Sequence, residues 1–592
     1  MAERAWGSLD EANPQMTNDQ HAYLRPFRRV AIVLSAASLA VLFLILILWL
    51  ARTPIRAYLN SVTGEEDAWE QVKGLGRLIV LRLTRPPLQL APETPMAYTG
   101  VNPFGINTFL EQEVEPHKVA LALRMIRDAG FRWIRQEFPW EDIEHSARGD
   151  FWDHKWHKSA WEKYDRIVEL AGQYGLQVIA RLDHPPAWTR ADGNARGNFA
   201  PPDDFEDFGN FVYAIVSRYK GKVKYYQIWN EPNIYPEWGE QPPDPAGYVR
   251  LLQVAYRRAK EADPECVILS AGLAQTVAND DRNMNDLLYL QKMYDAGVKG
   301  YFDIMGVMDY GLWTGPGDRR ASPELTNFSR PMLIRDIMVR NGDADKPLWA
   351  TEVGWNAVPP DFPSPAVYGR VTLEQQARYA VQAYQRAQAE WPWMGVLNYW
   401  FFKRATDTET EQVFYYFRMV EPDFTPLPVY EAMKDYANQQ PRVYPGCHQE
   451  SHWALQYEGD WQDVKDPQAV LGAMRRSSGP GNRLRFTFIG TELHLIVRKG
   501  PNGGMFEVSI DNGRPVAFLL QTEMPQYAVR ITLARGLRDG AHHVELATTG
   551  EAGMQVDIDG LIVRRRTIAW PTYVIVATLA IVACLAVIVR SR

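Results

Sequence analysis

The sequence predicts an α/β protein: a (β/α)8 TIM barrel followed by a C-terminal antiparallel β-sandwich, flanked by two transmembrane helices. Three observations predict this fold class. Short apolar strands alternate with amphipathic helical stretches over residues 101–440. The pattern changes to alternating β-structure over residues 445–565, and two long uncharged apolar runs bracket both regions. A chain of 592 residues is long enough for several domains.

The first apolar run predicts a transmembrane helix at residues 30–51, preceded by a cytoplasmic tail at 1–29. The run carries no charge, and at about 1.5 Å per residue it can cross a hydrocarbon layer about 30 Å thick. A cleaved signal peptide is the alternative, although no clear small-x-small cleavage site follows. The stretch 52–100, interpreted as a short helix followed by a Pro-rich segment, is expected to be a stalk or linker.

The second apolar run predicts another transmembrane helix, at residues 568–589. Trp570 and Tyr573 lie where interfacial aromatic residues are expected, and a buried soluble helix is the alternative. Two spans would make a lipid bilayer a partner and would place both tails on one side. The arginines in the short tails favour cytoplasmic tails and extracytoplasmic central domains.

Eight strand–helix units account for the region 101–440. The predicted strands are residues 104–110, 131–138, 176–184, 223–231, 266–274, 302–310, 347–355 and 394–402. Eight such units over about 340 residues fit a (β/α)8 barrel with enlarged loops. A doubly wound open sheet would usually carry a Gly-rich phosphate turn after an early strand, and none is present.

Polar residues follow most of the predicted strands, where barrels carry their chemistry. They are Arg135, Glu137, His184, Asn230, Glu231, Tyr310, Glu352 and Trp400. Each alone could be structural, and Glu231 could simply form a salt bridge at a strand end. Together they predict a cleft with two carboxylates, Glu231 and Glu352. Such a pair can cleave a glycosidic bond, since one carboxyl protonates the leaving oxygen while the other attacks the anomeric carbon or activates water.

Two motifs carry a resemblance to a known family. The sequences "IWNEPN" at the end of the fourth strand and "ATEVGW" at the end of the seventh resemble the signatures of glycoside hydrolase clan A, in the style of families 39 and 5. "WIRQEFPWEDIE", "HPPAW" and Trp400 match as well, and the resemblance covers roughly residues 101–440.

The resemblance implies a role for each site residue. Glu231 would be the acid/base and Glu352 the nucleophile of a retaining mechanism. Asn230 would hold the sugar 2-hydroxyl. The remaining substrate-site residues are Arg135, which would keep Glu352 ionised, Tyr310, which would position it, Trp400, which would stack under the sugar, and His184, a plausible further donor. One departure stands out, because Met308 occupies a position where many clan members have histidine, with Asp309 beside it as a possible replacement.

The region 445–565 resembles the galactose-binding-like β-sandwiches appended to many glycosidases. Trp453 and Trp461 near its start are expected to be core residues rather than sugar platforms. His542 and His543 are neighbours on one strand and point to opposite faces, so no metal is assigned to them.

The composition limits the other partners. A net charge of −7 with 23% charged residues argues against a nucleic-acid partner, and three cysteines at these spacings build neither a disulfide framework nor a zinc site. We expect no cofactor. The sequence therefore predicts a membrane-anchored retaining glycosidase, expected to be β-specific, acting on an oligo- or polysaccharide. A transglycosylase using the same residues and a non-catalytic glycan-binding surface protein are the alternatives.

Overall fold

The computed structural model describes residues 52–566. Eight parallel strands form its central sheet, and we number them β1 to β8. They are Phe104–Thr108, Trp133–Pro139, Gln177–Asp183, Tyr225–Ile228, Val267–Leu269, Met305–Tyr310, Leu348–Gly354 and Met394–Tyr399. Each pairs with its sequence neighbour, β8 pairs with β1, and the Leu269–Ile304 and Leu273–Val307 bridges join β5 to β6. The sheet therefore closes into the predicted barrel.

Ten α-helices lie in the described part of the chain. They are α1 Arg52–Thr63, α2 Ala68–Thr84, α3 Pro116–Asp128, α4 Trp161–Gln173, α5 Phe205–Tyr219, α6 Pro245–Ala262, α7 Asp286–Asp295, α8 Pro331–Arg340, α9 Leu373–Glu390 and α10 Pro428–Ala437. The helices α3 to α10 surround the barrel and bury apolar faces against it. Their other faces carry charged residues, as expected of amphipathic helices covering a parallel sheet.

The helical hairpin α1–α2 is docked on the barrel rather than forming an extended stalk. Its turn inserts into the loop between β6 and α8, where the Gly315 amide donates to the Gly64 carbonyl at 2.8 Å. Arg320 of that loop forms an ion pair with Glu65 at 2.8 Å. The hydroxyl of Tyr379 on α9 donates to Glu66 at 2.6 Å.

No helix between residues 52 and 566 is long and apolar enough to cross a membrane. This finding corrects three of our predictions: the transmembrane helices in the fold class, the membrane localisation and the bilayer partner. The longest helices described have 18 residues and are amphipathic. The two predicted spans, 30–51 and 568–589, and the tail at 1–29 lie outside the described residues.

The C-terminal part of the described chain forms two packed antiparallel sheets. One contains Gly446–Gln449 (β9), Trp461–Lys465 (β11), Ala473–Ser477 (β12), Glu492–Lys499 (β14), Gln526–Ala534 (β17) and Val556–Arg564 (β19); the other contains Gln456–Glu458 (β10), Arg483–Gly490 (β13), Met505–Ile510 (β15), Val516–Leu519 (β16) and Gly540–Thr549 (β18). Alternate residues of both sheets bury one apolar core. This is the predicted β-sandwich.

The sandwich packs against the amino-terminal end of the barrel. Trp453 contacts Phe104 edge-on, with ring centroids 6.3 Å apart, and packs with the barrel core, while Trp461 is partly buried in the sandwich core. Arg564 of β19 forms a bidentate ion pair with Glu93, at 2.7 Å for both contacts. The opposite, carboxyl end of the barrel is left open for a binding site.

Candidate active site

The barrel interior is built in two layers. The lower layer is aromatic: Trp133, Tyr225 and Trp349 pack together, with centroids 5.0 to 5.2 Å apart. Side chains alternate along a strand, so the residues two positions further on also point inward. On β2 and β4 these residues are Arg135 and Gln227, which places a polar layer directly above the aromatic one.

Arg135 is the hub of the polar layer. Its guanidinium is buried, and it donates to Gln227 at 2.7 Å, to Asn107 at 2.7 Å, to Asn230 at 2.8 Å and to Glu352 at 2.9 Å. Its five N–H groups suit such a fixed fork. One side chain on β2 therefore connects β1, β4 and β7 with Asn230, which lies just after the end of β4.

Glu352 lies on β7 with both carboxylate oxygens held. One oxygen accepts from Arg135, and the other accepts from the Tyr310 hydroxyl. Burial and the charge of Glu352 raise the pKa of Tyr310 well above its usual range, so the hydroxyl stays protonated and donates. An oriented carboxylate paired with arginine is suited to act as a nucleophile.

Glu231 follows β4 in an uncommon backbone conformation. Both Trp229 and Glu231 have positive φ angles, 71° and 40°, which non-glycine residues rarely adopt. The turn is held by the Trp229 indole, which donates to the Glu237 carbonyl at 2.8 Å, and by the Glu231 amide, which donates to the Gly272 carbonyl at 3.1 Å. Such strain concentrates where a side chain must be aimed.

The surroundings of Glu231 favour its protonated form. Burial raises its pKa well above the usual range, and the negative charges of Glu352 and Glu237 act in the same direction, against the smaller effects of Arg135 and Arg181. A carboxyl that stays protonated at neutral pH can serve as a general acid. The two glutamates therefore differ in their surroundings. Glu231 is able to give a proton, whereas Glu352 is ion-paired and held in one orientation.

A third carboxyl, Glu237, lies in the same cleft. The side chain of Asn230 bonds to it and to Arg135, so a continuous chain of contacts runs from Glu352 to Glu237. Burial raises the pKa of Glu237 to about 7, while Arg181 opposes this shift and Asp183 adds to it. Glu237 therefore titrates near neutrality beside the two predicted catalytic residues.

His184 belongs to a charge-balanced cluster on the β2–β3 side of the cleft. Its Nδ1 lies 2.6 Å from Glu137 and 2.8 Å from Asp183. Burial lowers the pKa of His184, but these carboxylates outweigh burial and raise it to about 10. Ligand atoms of the three residues lie within 4.8 Å of one another, yet Arg181 bridges both carboxylates at 2.7 and 2.8 Å. Arg181 and His184 thus supply the positive charge there, and we assign no cation to the cluster.

Met308 and Asp309 do not restore a polar group at the histidine position. The Met308 sulfur faces inward and accepts from the Thr351 hydroxyl at 3.4 Å. Asp309, the next residue along β6, points to the other side of the sheet, where Arg386 of α9 is its charged neighbour. Asp309 is fully buried and faces the helical layer, so it does not replace the missing histidine in the cleft.

Aromatic residues complete the cleft. Trp400, directly after β8, contacts Phe109 edge-on, with centroids 5.5 Å apart. Tyr368, from the loop between β7 and α9, is 43% exposed and contacts Phe417 at 6.3 Å. The structure therefore brings the predicted residues Arg135, Asn230, Glu231, Tyr310 and Glu352 together. His184 is tied into the neighbouring cluster, and Trp400 is partly buried against Phe109 directly after β8.

Comparison with known families supports the resemblance read from the motifs. Residues 94–286 match the model of "Cellulase (glycosyl hydrolase family 5)". The predicted resemblance to the clan A glycoside hydrolases is confirmed. The match spans the first five strands of the barrel and includes Glu231. Residues 471–571 match "Carbohydrate esterase 2 N-terminal", which covers most of the β-sandwich.

A curated relative and several solved structures resemble the chain. A "6-phospho-beta-glucosidase" of Clostridium longisporum is 26% identical over 117 residues, which are 20% of this chain and 24% of that protein. The chain thus matches about a quarter of the length of this relative. A family 39 glycoside hydrolase from Bacteroides cellulosilyticus is 17% identical, covering 78% of this chain and 83% of its own, with a TM-score of 0.45. A family 39 β-xylosidase from Caulobacter crescentus is 14% identical, covering 78% and 99%, with a TM-score of 0.41.

Sequence reasoning missed several residues of the site. Asn107 and Gln227 could have been found, because each lies on a predicted strand at the spacing that faces the barrel interior. Glu237 and Tyr368 gave no such signal, since both come from loops whose course periodicity does not predict.

Proposed function

We propose that the protein is a retaining β-glycosidase in which Glu352 is the nucleophile and Glu231 the acid/base. The observation that carries the proposal is the difference between the two carboxyls. Glu352 is fixed by Arg135 and Tyr310, while burial and neighbouring charge keep Glu231 protonated. The match to the family 5 model supports the reaction class.

The mechanism follows from this arrangement in two displacements. Glu352 attacks the anomeric carbon while Glu231 gives its proton to the leaving oxygen. The glycosyl–enzyme ester is then hydrolysed by water, which loses its proton to the Glu231 carboxylate. The buried guanidinium of Arg135 stays charged throughout and stabilises the Glu352 carboxylate before attack and when it is released from the ester. Asn230, held by the same arginine, would bond the sugar 2-hydroxyl.

Covalent trapping tests the assignment of Glu352. The full-length protein is incubated with 2-deoxy-2-fluoro β-glycosides of glucose, galactose, mannose and xylose, and the labelled peptide is identified by mass spectrometry. We expect label on Glu352 when the leaving group is 2,4-dinitrophenolate, since the fluorine slows both displacements and the activated leaving group speeds only the first. Label on a peptide lacking Glu352, or turnover by Glu352→Ala equal to wild type, would refute the assignment.

The role of Glu231 is tested through the leaving group. We expect Glu231→Gln to lose about 10²–10⁴-fold in kcat/KM on substrates with poor leaving groups, the usual contribution of general acid catalysis. The loss should be much smaller on 2,4-dinitrophenyl glycosides, which need no protonation. An equal loss on both substrates would contradict the role. Glu240→Gln, an exposed site nearby, is the control.

A further inference from the structure

The outer face of α2 carries large apolar side chains that the barrel does not cover. Four of them are each between 49% and 81% exposed; they are Trp69, Val72, Ile79 and Leu83. The opposite face of α2 contacts the rest of the protein, since the buried residues of this helix are Gln71, Gly74 and Leu78. Exposed apolar residues grouped along one helix face mark an interaction surface.

The spacing of these residues is that of two paired helices. Together with Gly76, they follow one another at intervals of three, four, three and four residues. We call these five residues the outer row: Trp69, Val72, Gly76, Ile79 and Leu83. Intervals that alternate between three and four are those of the a and d positions of a heptad, which form one line for a second helix to cover. The outer row therefore fits an α-helix as its partner.

Gly76 lies at the middle of the outer row and leaves room for a second backbone. A β-carbon on Gly76 would meet nothing within 4 Å. Glycine destabilises the interior of a helix, but it also allows another backbone to approach closely. The position of Gly76 therefore suits a point at which two helices cross.

The outer row is nearly symmetric about Gly76, which makes a second copy of this chain its matching partner. Trp69 and Leu83 both lie seven residues from Gly76, and the β-branched Val72 and Ile79 lie between. A two-fold pairing centred on Gly76 brings large side chains against large ones, whether the two helices run parallel or antiparallel. The row contains no charged residue, so the pairing would bury no unpaired charge.

We propose that two copies of the chain associate through the outer rows of their α2 helices. Facing rows would bury on the order of 1,000 Å² in total, close to the lower limit for a specific interface. The association is therefore weak and depends on concentration. It leaves the contacts of the hairpin with the barrel intact, because those use the other face of α2. It is also independent of the proposed glycosidase reaction, since no residue of the outer row belongs to the cleft.

Sedimentation equilibrium of the full-length protein measures the association, at about 1 to 100 µM, the range expected of a small interface. We expect a reversible equilibrium between monomer and dimer. Ile79→Glu should lower the association constant about 10- to 100-fold, because the dimer would bury a carboxylate without a partner. Val114→Glu, at a 90% exposed position outside α2, is the control and should match wild type. Thermal unfolding checks that both variants are folded.

A disulfide identifies the surfaces that meet. In a Cys584→Ser background, Gly76→Cys should give a cross-linked dimer on mild oxidation, because the two-fold pairing places residue 76 opposite its own copy, within reach of a disulfide. The native Cys266 and Cys447 are buried and do not compete. Val114→Cys in the same background should stay monomeric after oxidation.

Every other result overturns the proposal. A protein that stays monomeric up to the highest concentration, a dimer that Ile79→Glu leaves unchanged, or a Gly76→Cys variant that forms no cross-linked dimer would each do so. With Cys584 retained, a bond from Gly76→Cys to Cys584 of the same chain would show that the C-terminal segment covers the outer row instead of a second copy.

Discussion

At the scale of single residues, Arg135 fixes the positions of the polar side chains in the cleft. One guanidinium contacts Asn107, Gln227, Asn230 and Glu352, so it holds both the proposed nucleophile and the amide next to the proposed acid/base. Lysine would keep the charge at this position and lose the fork, since an ammonium group cannot hold four planar partners in one geometry.

We therefore expect Arg135→Lys to reduce kcat about 10- to 100-fold, the equivalent of one or two lost bonds to a charged group. KM should change little, because the arginine acts on Glu352 and Asn230 rather than on distant sugar units. Steady-state kinetics on an aryl glycoside measures the effect, and thermal unfolding checks that the variant is folded. Arg485→Lys, which breaks a similar arginine–glutamate contact on the sandwich surface, should leave both constants unchanged. Wild-type kcat in Arg135→Lys would contradict the role.

Glu237 should be visible in the pH dependence of activity. Its negative charge is one of the groups that raise the pKa of Glu231, so removing it lowers that pKa. The alkaline limb of kcat/KM reports the loss of the acid's proton in the free enzyme. In Glu237→Gln we expect this limb to move to lower pH while the acidic limb stays in place. An unchanged alkaline limb would show that Glu237 does not influence the acid.

At the scale of elements, the loops after β6 and β7 approach each other closely beside the cleft. Their contact at Leu312 and Gly369 fixes the support of Tyr368. Gly369→Ala combines the cost of a positive φ with a direct clash against backbone. We expect it to lower kcat/KM on an aryl glycoside, because the loop that carries Tyr368 has to move away from Leu312.

The matched control for this substitution is Gly553→Ala in the sandwich. Gly553 also has a positive φ, 88°, but its β-carbon would meet nothing within 4 Å. It should cost about 1 kcal/mol of stability and no activity. If the two variants behave alike in kinetics, the clash at Leu312 does not position the tyrosine.

The strands were predictable from sequence because apolar residues must cover both faces of a parallel sheet. All eight predicted strands are present, with ends shifted by a few residues, and the strand-end residues Arg135, Glu231 and Glu352 lie together as expected. The alternation of side chains along a strand predicts that Asp309 faces the helices, although its place in the motif suggested a role in the cleft. Residues from loops, such as Glu237, could not be predicted, since loop paths depend on tertiary contacts that no local pattern encodes.

At the scale of the whole molecule, a buried histidine pair marks the junction of barrel and sandwich. His448 and His452 contact each other with ring centroids 4.8 Å apart, beside the start of β8. Burial lowers the pKa of His448 to about 4 and that of His452 well below its usual range. Both are neutral in the folded protein at neutral pH, so protonation has to be accommodated by unfolding or separation of the junction.

The two buried histidines make the stability of the folded protein depend on pH. The unfolded chain takes up protons at these histidines below about pH 6.5, while the folded chain does not, so stability falls as the pH drops toward 4. Between pH 6.5 and 5 the loss is up to about 2 kcal/mol for each histidine. We expect His448→Gln to show a smaller drop in thermal midpoint between pH 7.5 and 5.0 than wild type. The exposed His117→Gln should drop as wild type does, and an equal drop in all three proteins would rule out the junction as the source.

The docked hairpin α1–α2 bears on how the chain should be divided for experiments. The turn at Gly64 and Glu65 fills a notch beside Gly315 and Arg320, in the loop whose earlier part braces Gly369. A protein trimmed at residue 101, the boundary suggested by the strand pattern, would leave that notch empty and the brace unsupported. Poor activity of such a fragment would then be an artefact of the cut, and an intact N-terminal region is the sounder starting material for every assay of the cleft.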